Sequence, residues 1–343
     1  MKKLTLESLL QRLVHKGNEK ARLLPIESEN KSPPMSIRLR PATKQFLECQ
    51  AEALNTSIQS LITMILDGVS ETTLDSTKGD LRTIKERFFY LFQSHGLDLP
   101  SIVSVMKQHK ITLSVLGDST RLFDLIDQQL IQFLASTFHV NPKWISGADN
   151  SIIASSDVVN WYKNVHGVGC RLLRNALNGL QPYVMFIRRS GANFKAARED
   201  DDHGKAEREP IGIVVRLHHT TADGVKFETF EAYEFERWNY SRCREQLKLL
   251  VIFCEQASDF IRFNGYQMPE EEIKLLASHQ AMPAVLMKRL GGVTWYPNDY
   301  ASLKDKVTME IDDWKWVKEQ YRREGFDKLI DHAREEVEVS RDN

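Results

Sequence analysis

The stretch Pro34-Met35-Ser36-Ile37-Arg38-Leu39-Arg40-Pro41 decides how the N-terminal part of this chain is interpreted. Apolar and polar residues alternate through it, and the side chains of a β-strand alternate between two faces. We therefore expect a strand over residues 35–40. Its apolar face carries Met35, Ile37 and Leu39, and its polar face carries Ser36, Arg38 and Arg40. Pro41 ends the strand and suits the first turn of a helix.

Two short helices are predicted directly after this strand. The first begins at Pro41 and ends near Asn55, and Thr56 or Ser57 then caps the second. The second helix carries an apolar stripe of Ile58, Leu61, Ile62, Ile65, Leu66 and Val69. One copy can neither pair a lone strand nor cover these stripes. We therefore expect two chains to form an antiparallel ribbon over a four-helix core.

Positive charge is concentrated at the N-terminal end. Residues 1–44 contain ten Lys or Arg and four Asp or Glu, a net charge of +6, although the whole chain carries −1. The remainder therefore carries −7. A solvated basic tail would explain this charge, but a basic two-stranded ribbon is also suited to the major groove of DNA.

Residues 35–69, "MSIRLRPATKQFLECQAEALNTSIQSLITMILDGV", resemble a ribbon–helix–helix DNA-binding domain of the Arc and MetJ repressor type. The resemblance implies a homodimer, or a higher oligomer built from it, on double-stranded DNA. It assigns base reading to Ser36, Arg38 and Arg40. It assigns phosphate contacts to Thr56, Ser57 and Ile58 at the start of the second helix. We expect Lys44 to add a contact with the DNA backbone.

Four segments are expected along the chain. They are an N-terminal helical segment at 1–30, the ribbon–helix–helix domain at 31–75, an all-helical domain at 80–150 and an α/β region at 155–343. The helical domain resembles, more weakly, the small domain of Cro and the lambda repressor. Its helix-turn-helix is degenerate, because the turn at 107–111 lacks the usual glycine. It is expected to serve as a spacer, a dimer contact, or a second DNA contact through Lys107 and Lys110.

The expected fold class is α+β. Apolar runs at 182–189 and 210–219 are short enough for strands, and Asp223-Gly224 is typical of a hairpin turn. A long helix is predicted over 239–263, and further helices over 268–343. The pattern indicates a small antiparallel sheet with covering helices, with an element order similar to that of PAS-type sensor domains. We expect this region to sense a signal or to bind a protein partner.

Several functional classes lack their sequence signals. The chain has no apolar run long enough to cross a membrane and no signal-peptide core, which predicts a cytoplasmic protein that does not contact membranes. Cys49, Cys170, Cys243 and Cys254 lie far apart, so neither a zinc site nor a disulfide framework is expected. Motifs for phosphate-binding loops and nucleophile elbows are missing, and we expect neither enzymatic activity nor a cofactor.

Two alternatives remain open at this point. The first is an antitoxin-like or defence-associated module that regulates its own operon and holds a protein partner through residues 155–343. The second is a DNA-targeted enzyme with chemistry near His218 and Asp223. Asp200, Asp201 and Asp202 could suggest a metal site, but adjacent carboxylates on a charged loop lack a preorganised cage of oxygen ligands.

Overall fold

The computed structural model describes residues 37–54, 56–74, 76–156, 158–199, 209–304, 307 and 314–342. The chain divides into two compact units, residues 1–83 and residues 84–343. The predicted α+β class is confirmed, because the described residues form fifteen α-helices and a five-stranded sheet. Within these ranges, none of the helices combines the length and the apolar character that a membrane crossing requires.

The α-helices are α1 (Pro41–Ala53), α2 (Ile58–Leu74), α3 (Ser76–Ser94), α4 (Leu99–Val105), α5 (Leu113–Leu116), α6 (Ser119–Leu125), α7 (Gln128–Phe138), α8 (Pro142–Ile145), α9 (Val165–Leu177), α10 (Phe194–Glu199), α11 (Ser241–Gln256), α12 (Glu270–Ala277), α13 (Pro283–Met287), α14 (Trp314–Arg323) and α15 (Phe326–Asp342). The strands are β1 (Tyr183–Arg189), β2 (Pro210–Thr220), β3 (Lys226–Ala232), β4 (Glu236–Arg237) and β5 (Arg262–Met268).

The first unit contains the two helices expected after the alternating stretch. α1 begins at Pro41, directly after Arg40 in an extended conformation (φ −66°, ψ 146°). α2 begins after Ser57, whose Oγ accepts a hydrogen bond from the amide of Ser60 at 3.0 Å. Residues 37–40 have no regular secondary structure in the single chain. The predicted 1–30 helix, Met35 and Ser36 lie outside the described residues, so the ribbon stays a prediction.

The sheet is mixed, and the prediction of an antiparallel sheet is wrong for one pair of strands. Strand order is β3-β2-β1-β5, and β4 pairs with β2. β2 runs antiparallel to β1, β3 and β4, whereas β5 runs parallel to β1. The helix predicted over 239–263 is too long at its C-terminal end. α11 ends at Gln256, and β5 begins at Arg262. Because β5 is defined by its pairing with a strand about 80 residues earlier, no local pattern indicated it.

Both faces of the sheet are buried under helices. Met185, Ile187 and Val214 point to one side, here called face A, and pack with residues of α3, α7 and α13. Val184, Phe186 and Val215 point to the other side, face B, and pack with residues of α9, α11 and α15. A strand buried on both faces is apolar at consecutive positions, as β1 and β2 are.

The structure corrects the expected boundary between a helical domain at 80–150 and an α/β region at 155–343. Residues 84–343 form one compact unit, and the helices before residue 150 share a core with face A of the sheet. Phe138 of α7 lies 5.9 Å from Phe227 of β3, measured between ring centroids. Because face A would otherwise expose its apolar side chains to water, these helices are a layer of the α/β fold rather than a separate domain.

The helix-turn-helix-like segment has an unusual second helix. Lys110 adopts the left-handed conformation (φ 59°) in the turn, a conformation that glycine adopts most readily. α5 then extends for only four residues, and the next helix, α6, begins after the Asp118 cap. Lys107 and Lys110 are exposed. A helix this short presents little more than one turn to a DNA groove.

We expect Gly265→Ala to lower the free energy of unfolding by about 1–3 kcal/mol, because the added methyl group overpacks the strand. A Cβ at this position would lie 2.5 Å from the backbone oxygen of Trp295, which crosses β5 at this point. Urea denaturation of both proteins measures the difference.

Gly117→Ala is the matched control. A Cβ there would meet its nearest neighbour at 3.6 Å, an ordinary contact, in a backbone conformation (φ −80°) that alanine accepts. We expect a change of less than about 1 kcal/mol. Equal effects of the two substitutions would contradict the close packing assigned to Gly265.

Candidate nucleic-acid interface

The alternation predicted for the residues before α1 is seen only in part, because Ile37, on the predicted apolar face, is 49% exposed. Arg38 and Arg40 are exposed, and Leu39 between them is half-buried. Leu39 packs against a small core of Leu47, Ala51 and Leu61. The two guanidinium groups are therefore available to an external partner, while the intervening leucine holds the chain against the helices.

Lys44 lies one turn into α1 and is exposed. Its Nζ is 3.5 Å from Oε1 of Glu48, one helical turn later. Exposed pairs of this kind contribute little to stability, so Lys44 can exchange Glu48 for a phosphate at small cost. The structure thus leaves the side chain accessible for the backbone contact expected of it.

The start of α2 presents the features expected of a phosphate contact. Ser57 caps the helix through the amide of Ser60, and the Thr56 amide donates to the backbone oxygen of Ala51 at 2.9 Å. The first amides of a helix have no backbone partner within it, and those of Ile58 and Gln59 donate to no acceptor in the described residues. The Ile58 side chain instead packs on the small core.

In the described part of the first unit, exposed large apolar side chains outnumber the buried ones. In its described part, fully buried apolar residues are limited to Leu47, Ala51 and Leu61. Large apolar side chains in water are Ile37, Phe46, Leu54, Met64, Ile65 and Leu66. Phe46 is 62% exposed and Met64 is 54% exposed. This exposed set is here called the α1/α2 apolar surface; exposed apolar patches often mark protein contacts.

No protein-family model matches this chain, and no characterised protein or solved structure is significantly similar to it. The functional argument therefore depends on the residues and their geometry.

His218 and Asp223, the pair on which the enzyme hypothesis depends, have different partners in the structure. His218 Nδ1 lies 3.4 Å from Glu228 Oε1. Asp223 Oδ1 accepts a hydrogen bond of 2.7 Å from Ser104 of α4, and the Ser104 hydroxyl also lies 2.8 Å from that of Thr221. These contacts hold α4 against the β2–β3 hairpin. Asp200, Asp201 and Asp202 lie outside the described residues. Over the described ranges, no cluster of three or more His, Cys, Asp or Glu could hold a metal ion.

The structure also shows a buried polar cluster that the sequence analysis missed. Arg171 of α9 donates a hydrogen bond to Oε1 of Glu231, a buried carboxylate on β3. His139 Nδ1 lies 3.9 Å from the same oxygen. His139 follows α7 and adopts the left-handed conformation (φ 55°) that ends the helix. No spacing signal links Arg171, Glu231 and His139, because they come from three separate elements.

Ring contacts through Phe138 and Phe227 connect the buried His95 to the half-buried His219 across the helix–sheet boundary. His95 packs on Phe138 at 4.7 Å, and His219 stacks on Phe227 at 4.7 Å with an angle of 13° between the rings. Burial lowers the pKa of His95 from 6.5 to about 4, although Nδ1 donates a hydrogen bond to the Leu91 carbonyl. Burial also lowers the pKa of His219 to about 4 and lowers that of His139. All three rings are therefore neutral at pH 7.

These pKa values predict that acid destabilises residues 84–343. Each folded-state pKa lies below 6.5, so the unfolded chain binds more protons between pH 6.5 and pH 4, and stability is lost as the pH falls through this window. We expect His95 alone to cost about 2 kcal/mol between pH 7 and pH 5. His95→Asn keeps a donor for Leu91 and removes the titrating group, so urea denaturation at the two pH values should show a smaller loss for this variant.

His332→Asn provides the control, because His332 is exposed on α15 beside Glu336. Its loss of stability between the two pH values should equal that of the wild type. If His95→Asn also retained the full pH dependence, the buried neutral imidazole would not be its cause.

Proposed function

We propose that the protein is a homodimeric, sequence-specific DNA-binding transcriptional regulator. The observation that carries the proposal is the combination, within one small unit, of two exposed arginines ahead of α1 and an apolar surface on α1 and α2 that is exposed among the described residues. A second copy can cover this surface and pair with residues 35–40 at the same time. Covering the apolar surface could be achieved in several ways, and so could pairing residues 35–40. This dimer does both at once.

The apolar surface supports the dimer on energetic grounds. Burying a side chain such as Phe46 or Ile65 contributes roughly 1.5–3 kcal/mol, and two symmetric copies bury each of them twice. The net charge of +6 over residues 1–44 would be doubled on one side of such a dimer. This charge attracts the phosphate backbone of DNA before any base is read.

In the proposed complex, the arginines would read bases and the start of α2 would hold phosphates. Arg38 and Arg40, on the outward face of the ribbon, are shaped for bidentate hydrogen bonds to guanine in the major groove. Ser36 would extend the same row. Lys44 and the amides at the start of α2, around Thr56, Ser57 and Ile58, would hold phosphates and fix the register of the protein. Residues 84–343 would sense a signal or bind a protein partner, since cavities open along their α/β fold.

The first test compares a base-reading residue with a backbone-contacting one. We expect Arg38→Ala to weaken binding to the preferred sequence by about 1–3 kcal/mol and to leave binding to random duplex nearly unchanged. We expect Lys44→Ala to weaken binding to both and to flatten the salt dependence, because one fewer counterion is released. Enrichment of random duplexes on the purified protein supplies the preferred sequence, and titrations at several salt concentrations supply the affinities.

Glu48→Gln is a useful control in these titrations. It removes the partner of Lys44 and leaves the lysine in place, so binding to all duplexes should strengthen slightly. A small, equal loss from Arg38→Ala on preferred and random DNA would argue against base reading by these residues. Failure to enrich any sequence would favour the partner-binding alternative.

The dimer predicts a separate result in solution. The double substitution Phe46→Gln and Ile65→Gln should shift the protein from dimer to monomer in sedimentation analysis, because polar amides replace side chains that the second copy buries. Leu113→Gln is the control, since Leu113 is 55% exposed in the other unit and should leave the dimer intact. A wild-type protein that sediments as a monomer at high concentration would overturn the proposal.

A further inference from the structure

A row of polar side chains crosses face A at the end of the sheet where β1 begins. Arg216, Tyr183 and Arg262 lie directly opposite one another on β2, β1 and β5. Side chains in such a row point to the same face, and Met185, two residues after Tyr183, identifies it as face A. Met185 is buried, whereas Tyr183 and Arg216 are half-buried and Arg262 is exposed. This set, here called the Arg–Tyr–Arg row, is therefore accessible from solvent.

The guanidinium group of Arg216 is held in place by two neighbours. Its Cζ lies over the Tyr183 ring, 4.6 Å from the ring centroid. Its Nη1 is 3.6 Å from Oε1 of Glu228 on the next strand, and the Arg216 side chain is 32% exposed. Nucleobases stack on guanidinium groups, and a group that is already held loses little freedom when it binds. Arg216 therefore offers a prepared contact for a planar ligand.

Two phenols in the same part of face A leave a hydrogen-bond donor without an acceptor. The Oη atoms of Tyr183 and Tyr266 are 2.8 Å apart, and Asn264 Nδ2 donates to Tyr183 Oη at 2.8 Å. Burial raises the pKa of Tyr266, so this phenol keeps its proton at pH 7. Each phenol carries one O–H group, and only one of the two is used in their mutual bond. The other has no acceptor among the described residues, and an oxygen of a ligand can supply one.

The surface around the Arg–Tyr–Arg row is positively charged. His218 follows Arg216 by two residues and pairs with Glu228, so Glu228 and Lys226 also lie on face A. Lys226 and Arg262 are exposed and form no ion pair with any described residue. With Arg216 these side chains carry three positive charges against the single negative charge of Glu228, a surplus of two. Protonation of His218 could only increase this surplus.

A cavity of about 430 Å³ opens beside the row, and Glu228 connects the two because it contacts Arg216 and also lines the cavity. Its lining on face A includes Lys226 and His218, and Gln181 adds an amide that can donate and accept. The volume falls in the range of sites that bind small molecules. The carboxylate of Glu228 can accept a hydrogen bond from the amino group of a base. The cavity thus has the size and the polar groups that a nucleobase requires.

We propose that the Arg–Tyr–Arg row and this cavity bind a nucleotide whose base carries an amino group, such as adenosine monophosphate (AMP). The base lies in the cavity against Arg216, with Glu228 and Gln181 at its edge, and the phosphate lies at Arg262. The surplus of two positive charges matches the charge of a terminal phosphate, which is about −1.5 to −2 at pH 7. The site contains none of the residues assigned to DNA contacts on α1 and α2, so it does not rest on that function.

The experiment is calorimetric titration of the full chain with AMP, with adenosine and with ribose 5-phosphate. We expect AMP to bind saturably at one site and each fragment to bind roughly tenfold more weakly, because each lacks one set of contacts. Arg262→Gln should weaken AMP binding by roughly tenfold and leave adenosine binding unchanged. Arg216→Lys keeps the charge but loses the planar group, so it should weaken the binding of AMP and of adenosine alike.

A free nucleotide and a single strand of nucleic acid offer the same chemistry, and Lys226 distinguishes these two sources. Lys226 lies on β3, beyond Arg216 as seen from Arg262 on β5. A single strand of four adenylates can reach both cations, so it should bind more tightly than AMP and lose that gain in Lys226→Gln. Equal affinities, or a gain that persists in Lys226→Gln, would identify the free nucleotide as the ligand of this site.

Arg242→Gln is the matched control for charge. Arg242 is exposed on α11, a helix that packs on face B. Its removal should leave AMP binding unchanged, and thermal unfolding of every variant confirms that it is folded. The proposal is overturned if AMP gives no saturable binding at millimolar concentration, if either fragment binds as tightly as AMP, or if Arg242→Gln weakens binding as much as Arg262→Gln. Titration with duplex DNA is a separate measurement, so failure of this site is distinguished from failure of the proposed DNA binding.

Discussion

Burial of both faces of β1 and β2 is the constraint on which residues 84–343 depend. Residues 184–187 and 213–215 are buried, and their side chains point alternately to face A and face B. The strands satisfy their backbone groups within the sheet, but each apolar face needs a layer of helices to exclude water. α3, α7 and α13 cover face A, and α9, α11 and α15 cover face B. The helices before residue 150 therefore belong to the same fold as the sheet.

The first unit, in contrast, leaves several large apolar side chains exposed among its described residues. Leu47, Ala51 and Leu61 form its small buried core, and the α1/α2 apolar surface stays in water. Covering this surface would bury further apolar side chains. The proposed dimer would supply that burial, and it would also place the exposed arginines of two chains side by side. Stability and recognition would then depend on one interface.

Buried polar groups in the larger unit are held by specific partners. Glu231 combines with Arg171 and His139 at the edge of the sheet. Glu255 of α11 accepts hydrogen bonds from Asn298, from Ser302 and from the Leu303 amide, and so fixes the segment after Pro297 to the helix. A buried carboxylate without such partners would be strongly destabilising. Both groups therefore constrain how the outer segments dock.

The sequence by itself determined the elements whose signals are local. Pro41 marked the start of α1, and Thr56 or Ser57 marked that of α2. Apolar runs predicted β1 and β2, and Asp223-Gly224 predicted the hairpin, because capping, periodicity and turn geometry depend on neighbouring residues. The alternation at 37–40 likewise indicated that Arg38 and Arg40 would face solvent. Only the tertiary structure decided that β5 pairs in parallel with β1, that the helices at 84–150 cover face A, and that His218 meets Glu228 instead of Asp223. These outcomes depend on contacts between distant parts of the chain, for which a local pattern carries no information.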